Sequence, residues 1–568
     1  MSKKRRLLSI LREKVVESSA TRRVIYKVTA YKWIIAAIVV ADSLIIYYAI
    51  TAFPYPASLL LGILVVLGSF LLVFYFTALK RIGIIPVSED LVFILVHLRC
   101  LITGNPPLTA LLGKIGETPF YRKKYSGMFQ KLRNLIKNWG YSAPEAIRLV
   151  SREAPSKVDE MFLQRLAAIV ATGGDIKEYL RIEYNTLFAE YVAAYTRMIN
   201  ILRVVLGIYT TLLAALTFML ANLMLLGMIF GGFTELVMTG VTSIGFALMS
   251  MATLLYLFMR KPIFESKPKW RSRLLVLIIL LGLTGFFSFA IMIAYLVISL
   301  KIFDMEYVSL SLVLIGVLLL PAGILVKIHE SRINEYDIFF PAFIRSYGEQ
   351  MAVVPNMIES LKPLLIAELG KLKGLLNRIY ARLINRVDPR IAWALFADES
   401  SSEMVTRGTY IFVDTVEVGG DLAEAGALIS DHINEIYRLR ASYVQVFKTF
   451  EATLYLMHLT TVILLIFVGS FINIFTGIIA SLAESIPSEY AGLLGIFAVS
   501  PINISLVTNI SLIVTTIANT LALYSVNPGS RYAIFYYLSV MLIITGSAIY
   551  IGYFAMQGLI GRLVAPIS

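Results

Sequence analysis

Nine apolar stretches, each about the 20 residues a helix needs to cross a bilayer, divide this sequence at 33–53, 58–79, 204–230, 236–259, 274–300, 308–326, 452–480, 503–526 and 532–558. Hydrocarbon offers the backbone no partner, so such stretches cross as helices whose hydrogen bonds close internally. A polytopic membrane protein follows. Of 568 residues only 15% are charged and 58% are apolar, against about 25% and 45–50% in soluble domains. That balance excludes an ordinary soluble enzyme and a long disordered chain. The first stretch begins at Trp33 behind ten Lys and Arg residues, too late and too basic a lead for a cleavable signal peptide. Within this lead Leu7, Leu8, Leu11 and Val15 recur at helical spacing. It reads either as an amphipathic helix on the membrane surface or as a plain basic flank.

Charge placement orients the spans. With the N-terminus inside, the inner segments are 1–32, 80–203, 260–273, 327–451 and 527–531. They hold 49 of the 51 Lys and Arg residues, and only Lys301 and Arg562 fall outside them. The outer loop 481–502 carries Glu484 and Glu489 and no cation. The positive-inside rule then puts the N-terminus in the cytoplasm and the tail 559–568 outside.

Two inner segments, 80–203 and 327–451, are each long enough for a small domain. Strand alternation is sparse, while 161–171, 180–202, 372–387 and 427–450 read as helices. Leu91–Leu101 is apolar but too short to span, and Glu89, Asp90 and Arg99 bound it. It fits a buried helix of an extramembrane bundle. The fold class is all-α: nine transmembrane helices and two cytoplasmic helical bundles.

The bundles are copies of one another. At a constant offset of 246, Glu89, Phe93 and Arg99 match Glu335, Phe339 and Arg345; Glu153 matches Glu399; Tyr191 matches Tyr437. Val170-Ala-Thr-Gly-Gly-Asp-Ile-Lys-Glu178 matches Val416-Glu-Val-Gly-Gly-Asp-Leu-Ala-Glu424. The repeated unit is two spans, a bundle and two more spans, in parallel orientation, with the ninth span outside it. In each matched segment Gly173-Gly174 or Gly419-Gly420 ends one helix, because glycine accepts left-handed angles. Asp175 or Asp421 then caps the next, with Glu178 or Glu424 three residues on as a capping box. The motif reads as a tight helix–helix turn; a direct role for its carboxylates is the other reading.

Paired all-α bundles with Gly-Gly-Asp-[Ile/Leu] turns, each leading through a helix into a span, resemble the type II secretion F-domain family. The two-copy, nine-span layout from about 33 to 558 is most similar to its archaeal members, the membrane platforms of archaella and archaeal type IV pili. The resemblance implies a protein without catalytic activity or cofactor. It implies coupling of a cytoplasmic hexameric secretion ATPase to the movement of pilin-like subunits from the membrane into a filament. This sequence has no G-x-x-x-x-G-K-[ST] phosphate loop, so a partner supplies energy delivered by that route.

Against that background the remaining features take alternative readings. The first bundle segment holds 18 basic and 11 acidic residues, the second 14 and 17. Lys114, Arg122, Lys123, Lys124, Lys131, Arg133 and Lys137 crowd one stretch against Glu117 alone. They form either a solvated or lipid-facing surface or the docking face for the ATPase. Nucleic acid does not fit, for few aromatics stand there to stack bases. Loop 260–273 carries six cations against Glu265; it is first a topology determinant and could also touch the ATPase. Asp42 is the lone Asp, Glu, Lys or Arg well inside a span, where it pairs with a subunit or neighbouring helix or hydrogen-bonds within the bundle. Gly227-x-x-x-Gly231 permits close helix packing and a homodimer. Asn503-Ile-Ser505 is a glycosylation sequon near the outer surface; Asn509-Ile-Ser511 falls inside a span. One cysteine, Cys100, excludes an internal disulfide, a thiolate zinc site and an iron–sulfur cluster. Cys100, His97, His329, His432 and His458 read as packing residues. A transporter or permease driven by an external ATPase is the rival function, and it predicts a polar path across the spans. A membrane-bound transferase predicts clustered carboxylates or histidines at the membrane face, which the sequence does not offer.

Overall fold

The computed structural model describes residues 87–118, 120–121, 123–229, 234–258, 265, 273–298, 304–485 and 504–564. Among them the backbone forms α-helices and short 3-10 turns, with a single isolated bridge between Glu265 and Ser402. The chain runs through α1 (Glu89–Ile102), α2 (Leu108–Glu117), α3 (Lys123–Lys137), α4 (Ala143–Ser151), α5 (Lys157–Thr172) and α6 (Ile176–Ile229), then α7 (Thr234–Phe258) and α8 (Arg273–Ile298). A second series holds α9 (Met305–Val353), 3-10 turns at Glu359–Leu361 and Pro363–Leu365, α10 (Leu372–Ile384), α11 (Pro389–Ser400), α12 (Glu403–Val418) and α13 (Leu422–Ser485). It closes with α14 (Ile504–Val526), a 3-10 turn at Arg531–Ala533 and α15 (Ile534–Val564).

The helix ends follow local chemistry. Ser88 caps α1 by accepting from the Leu91 N–H at 3.1 Å, with Glu89 and Asp90 in the first turn and Arg99 in the last, as the helix dipole favours. Ser156 and Ser402 cap α5 and α12 in the same way, and Gly173 and Gly419 end those helices in the left-handed region at φ +69° and +74°. α12 begins and ends 246 residues after α5, and α13 begins 246 residues after α6. Where the first series has α2, the second has only its two 3-10 turns.

Five helices are long and apolar enough to cross a membrane, over Ile176–Leu226, Met305–Val353, Leu422–Ile478, Ile504–Val526 and Arg531–Ala555. They carry the expected spans 204–230, 308–326, 452–480, 503–526 and 532–558. α7 and α8 hold the shorter apolar stretches Ser243–Thr253 and Val276–Met292 within the expected 236–259 and 274–300. The expected spans 33–53 and 58–79, with Asp42, lie outside the described residues, as do Gly231, Asn503 and most of loop 260–273.

Three helices run past the boundary between charged and apolar sequence without a break. α6 has 54 residues, α9 has 49 and α13 has 64, about 80, 75 and 95 Å at 1.5 Å per residue. Lateral packing assembles the rest. α9 lies along α13 and α15, α6 lies along α13, and α14 sits among α7, α13 and α15. The α9–α15 contact is close because Gly323 and Gly546 face backbone: a Cβ on Gly323 would stand 2.6 Å from the Tyr536 Cα, and one on Gly546 2.7 Å from the Ser309 carbonyl oxygen.

Candidate functional site

α1 is apolar on all sides and its side chains are almost wholly buried, packed against α2, α6, α12 and α13. The helix of the first series is thus enclosed partly by the second. Its N-terminus brings Glu89 and Asp90 to a buried charge cluster with Glu403 and Arg407 of α12 and Arg440 of α13. Arg407 Nη2 donates to Asp90 Oδ1 at 2.8 Å and to Glu403 Oε1, and its guanidinium lies 4.5 Å from the Phe93 ring centroid. Arg440 Nη2 donates to Glu89 Oε1 at 2.7 Å and to Glu403 Oε2 at 3.2 Å. Glu403 therefore bridges two guanidiniums, and both arginines are only a few per cent exposed.

The carboxylates respond differently to this setting. At Glu89 burial pushes the pKa up, but Arg440 and Arg407 outweigh it and hold the group below its ordinary value. At Glu403 burial, with Glu89 adding to it, prevails over Arg407 and Arg440 and the pKa rises. Asp337 accepts from the Ser402 hydroxyl, yet burial raises it to about 7. His432 sits edge-on to Phe93 at 4.5 Å between ring centroids and meets the Tyr184 hydroxyl through Nδ1 at 3.1 Å. Burial pushes it down to about 3, so it stays neutral. His97 joins the same two series, with Nδ1 at 3.2 Å from the Tyr121 hydroxyl and Nε2 at 3.2 Å from Asp414. Chemically this is a lock: the acids and bases hold one another.

The repeated turns converge at the opposite end of α1 from this lock. Lys177 Nζ reaches Glu424 Oε2 at 3.0 Å, tying the helix that follows one turn to the helix that follows the other. Asp175 Oδ1 accepts from the Lys177 and Glu178 N–H groups at 2.8 and 3.3 Å, and Asp421 Oδ1 from the Glu424 N–H at 3.0 Å. The other half of each capping box is replaced. Glu178 takes a two-point pair with Arg181, a charge-assisted contact stronger than one to a neutral N–H. Glu424 goes to Lys177, while the Asp421 N–H donates to Thr103 Oγ1 at the end of α1 at 2.9 Å. Gly420 packs there too: a Cβ on it would lie 2.8 Å from Thr103 Oγ1. Gly174 has its nearest neighbours within its own series, so the two turns are alike in backbone and different in surroundings.

Of the cationic stretch, Lys131 pairs with Glu153 at 2.5 Å, Arg133 pairs with Glu117, and Lys137 is exposed at the end of α3. Arg122 and the side chains of Lys123 and Lys124 lie outside the described set. Lys114 turns to the second series and pairs with Asp414 and Glu417. Cys100 is buried, and burial pushes its thiol far up. Among the described residues no three His, Cys, Asp or Glu side chains are placed to hold a metal ion.

A second polar feature runs through the apolar helices. Tyr209 of α6 donates to Asn519 Oδ1 at 2.8 Å; Asn519 Nδ2 meets His458 Nδ1 of α13 at 3.1 Å; His458 Nε2 meets Thr545 of α15 at 2.8 Å. Thr516 of α14 is 2.8 Å from Thr545, and Thr217 is 3.3 Å from Thr461. The bonds assign His458 the tautomer with hydrogen on Nε2. Sequence reasoning missed both features. Offset pairs in which one copy is charged and the other apolar, Arg407 with Met161 and Arg440 with Ala194, signal the lock. Nine Ser, Thr and Asn residues among the 23 of α14 signal the seam.

Comparison with known proteins gives these features a context. Residues 94–224 match the family model for type II secretion system protein F. Flagella accessory protein J of Methanocaldococcus jannaschii is 27% identical over 338 residues, 57% of this chain and 59% of that protein. Its namesake in Methanococcus voltae is 24% identical over 336 residues, 57% of this chain and 60% of that one. The chain thus spans about three fifths of the length of these curated relatives. No solved structure matches.

Proposed function

We propose, from the kinship of this chain with the type II secretion F-domain family and its archaeal flagella accessory relatives, that it is the integral-membrane platform of an archaeal type IV filament, an adhesive pilus or an archaellum. In this reading the extramembrane helices are two copies of one cytoplasmic bundle, the chain crosses the membrane nine times from an inner N-terminus to an outer C-terminus, and the protein performs no catalysis. A cytoplasmic hexameric secretion ATPase docks on the cationic stretch around Arg122, Lys123, Lys124, Lys131, Arg133 and Lys137. Pilin-like subunits enter the filament from the membrane beside the spans, with Asp42 available to them.

The observation that supports this most directly is mechanical continuity. α13, which carries Arg440, and α6, which packs along it and α1, run on into apolar stretches as unbroken helices, so a displacement of the locked bundles is carried to the spans without an intervening hinge. The polar seam from Tyr209 to Thr545 is what favours a permease instead. Its groups satisfy one another within the packed helices, and a seam spent on helix-to-helix bonds offers a solute no partners.

The test uses the full-length protein in detergent, with wild type and the triple change Arg122→Glu, Lys123→Glu, Lys124→Glu compared for capture of the organism's secretion ATPases. Salt-sensitive capture by the wild type and its loss in the variant is the expected result. Folded wild-type protein that captures no such ATPase, in a deletion strain that still makes all its filaments, would overturn the platform reading.

A further inference from the structure

A groove of about 230 Å³ runs between α6 and α13 where both helices enter their apolar stretches. Arg203 and Gln445 stand at its polar end: Arg203 is the last residue before the stretch 204–230, and Gln445 lies 7 residues before 452–480. The buried side chains of Leu206, Val446 and Phe450 form its floor, and Gly207 opens it farther along α6. Thr210, Thr449 and Thr453 complete the lining. Their hydroxyls donate to carbonyls of their own helices at 2.9, 3.1 and 2.9 Å, so they bring no free donor to the groove.

The fold makes no use of three of these residues. Arg203 and Gln445 are exposed, and their side chains have neither a hydrogen bond nor an ion pair among the described residues. No carboxylate lines the groove beside them. Gly207 stands inside a helix, where glycine is less stable than alanine, yet a Cβ on it would meet no described atom within 4 Å. No close approach of a described helix calls for glycine there; what it provides is room in the groove. α1 does not take up that room. It meets α6 through Tyr184 and Tyr191, on the face that carries Met198. At about 3.6 residues per turn, Gly207 lies half a turn round from Met198.

We infer that this groove holds one phospholipid: the Arg203 guanidinium and the Gln445 amide donate to its phosphodiester oxygens, and the first carbons of its chains lie over Gly207 against Leu206 and Phe450. An unpaired guanidinium at the edge of the apolar zone draws an anion, and its planar fork matches two phosphate oxygens. One cation with no carboxylate beside it suits the single charge of a phosphodiester. The apolar floor runs on from there into the stretches 204–230 and 452–480, so an amphiphile satisfies both ends of the groove and a free phosphate only one. The inference needs only that α6 and α13 cross a membrane, and does not depend on which machine the protein serves.

The experiment takes full-length protein, delipidated in detergent, and follows its melting temperature and its bound lipid by native mass spectrometry. Phosphatidylglycerol, diacylglycerol and soluble glycerophosphoglycerol are added in turn. Phosphatidylglycerol is expected to bind and raise the melting temperature, and the other two to do neither. Gly207→Leu places a good helix former in the open groove; without lipid it should melt no lower than wild type, and it is expected to weaken phosphatidylglycerol binding at least tenfold. Arg203→Gln, at an exposed position with no partner to strand, is expected to weaken binding several-fold and carries the test if Gly207→Leu does not fold. Equal binding of diacylglycerol, equal binding by the soluble headgroup, or wild-type affinity in either folded variant would each overturn the assignment.

Discussion

Glu403 serves two guanidiniums at once, and the cost of disturbing such a group is set by what it leaves behind. Removing one member of a buried ion pair strands its partner and typically destabilises by about 3–5 kcal/mol. Arg407→Met, which takes from Asp90 its Arg407 contact and from Glu403 one of its two guanidiniums, is therefore expected to cost about 3–5 kcal/mol in denaturant unfolding of the detergent-solubilised protein; a change below about 1 kcal/mol would mean the cluster is hydrated. Asp337 makes a pH-dependent contribution of definite sign. Burial lifts it from 3.8 to about 7, so the folded state holds its proton more tightly than the unfolded one. Stability from this group is complete below its ordinary value and is lost as the pH rises through about 7. Wild-type protein should melt higher at pH 5 than at pH 8, and Asp337→Asn should narrow that gap; an unchanged gap in the variant would assign it elsewhere.

Helix α13 meets α9 at a crossing where neither can carry a side chain. A Cβ on Gly426 would stand 2.8 Å from the Ile344 carbonyl oxygen and 3.2 Å from the Gly348 Cα. Gly426→Val should push the pair apart and cost about 1–3 kcal/mol, the range for forced overpacking, read as a lower unfolding midpoint with the helix content unchanged before the transition. Elements of this kind account for what the sequence reveals and what it hides. The turns at Gly173-Gly174-Asp175 and Gly419-Gly420-Asp421 and the buried, non-spanning nature of Leu91–Leu101 are local matters of spacing and composition, and they read directly. Unbroken passage of α6 and α13 through the boundary was less visible, because hydropathy marks where the environment changes and not where the backbone bends. The destinations of Glu178 and Glu424 depended on Arg181 and Lys177, one a turn away and the other in the opposite series. Who meets Arg407 depended on a helix more than 300 residues earlier. Periodicity carries no information at that range.

Across the whole molecule, apolar helix packing joins the two series, and ionic contacts of two strengths add to it. Lys177–Glu424 is exposed and contributes at most about 1 kcal/mol, screened by salt. The Glu89, Asp90, Glu403, Arg407 and Arg440 group is buried, and ions in solution do not reach it. Co-expressed fragments divided between residues 300 and 301 should therefore co-purify as well in 1 M salt as in ~0.1 M, and Arg407→Glu should weaken their association; dissociation of the unaltered fragments by salt would place the association on the surface instead. The length of α13 has a further consequence. A rod of about 95 Å pivoting near one end acts as a lever, and a tilt of about 5° moves its far end by about 8 Å, more than one helical turn. A small stroke in the solvent-exposed part thus becomes a large one on the far side of the bilayer, with the gain set by where along the rod the fulcrum lies. The contact between Thr217 and Thr461, inside the apolar zone and well along both α6 and α13, is a place where such a fulcrum would divide the rod into two working arms.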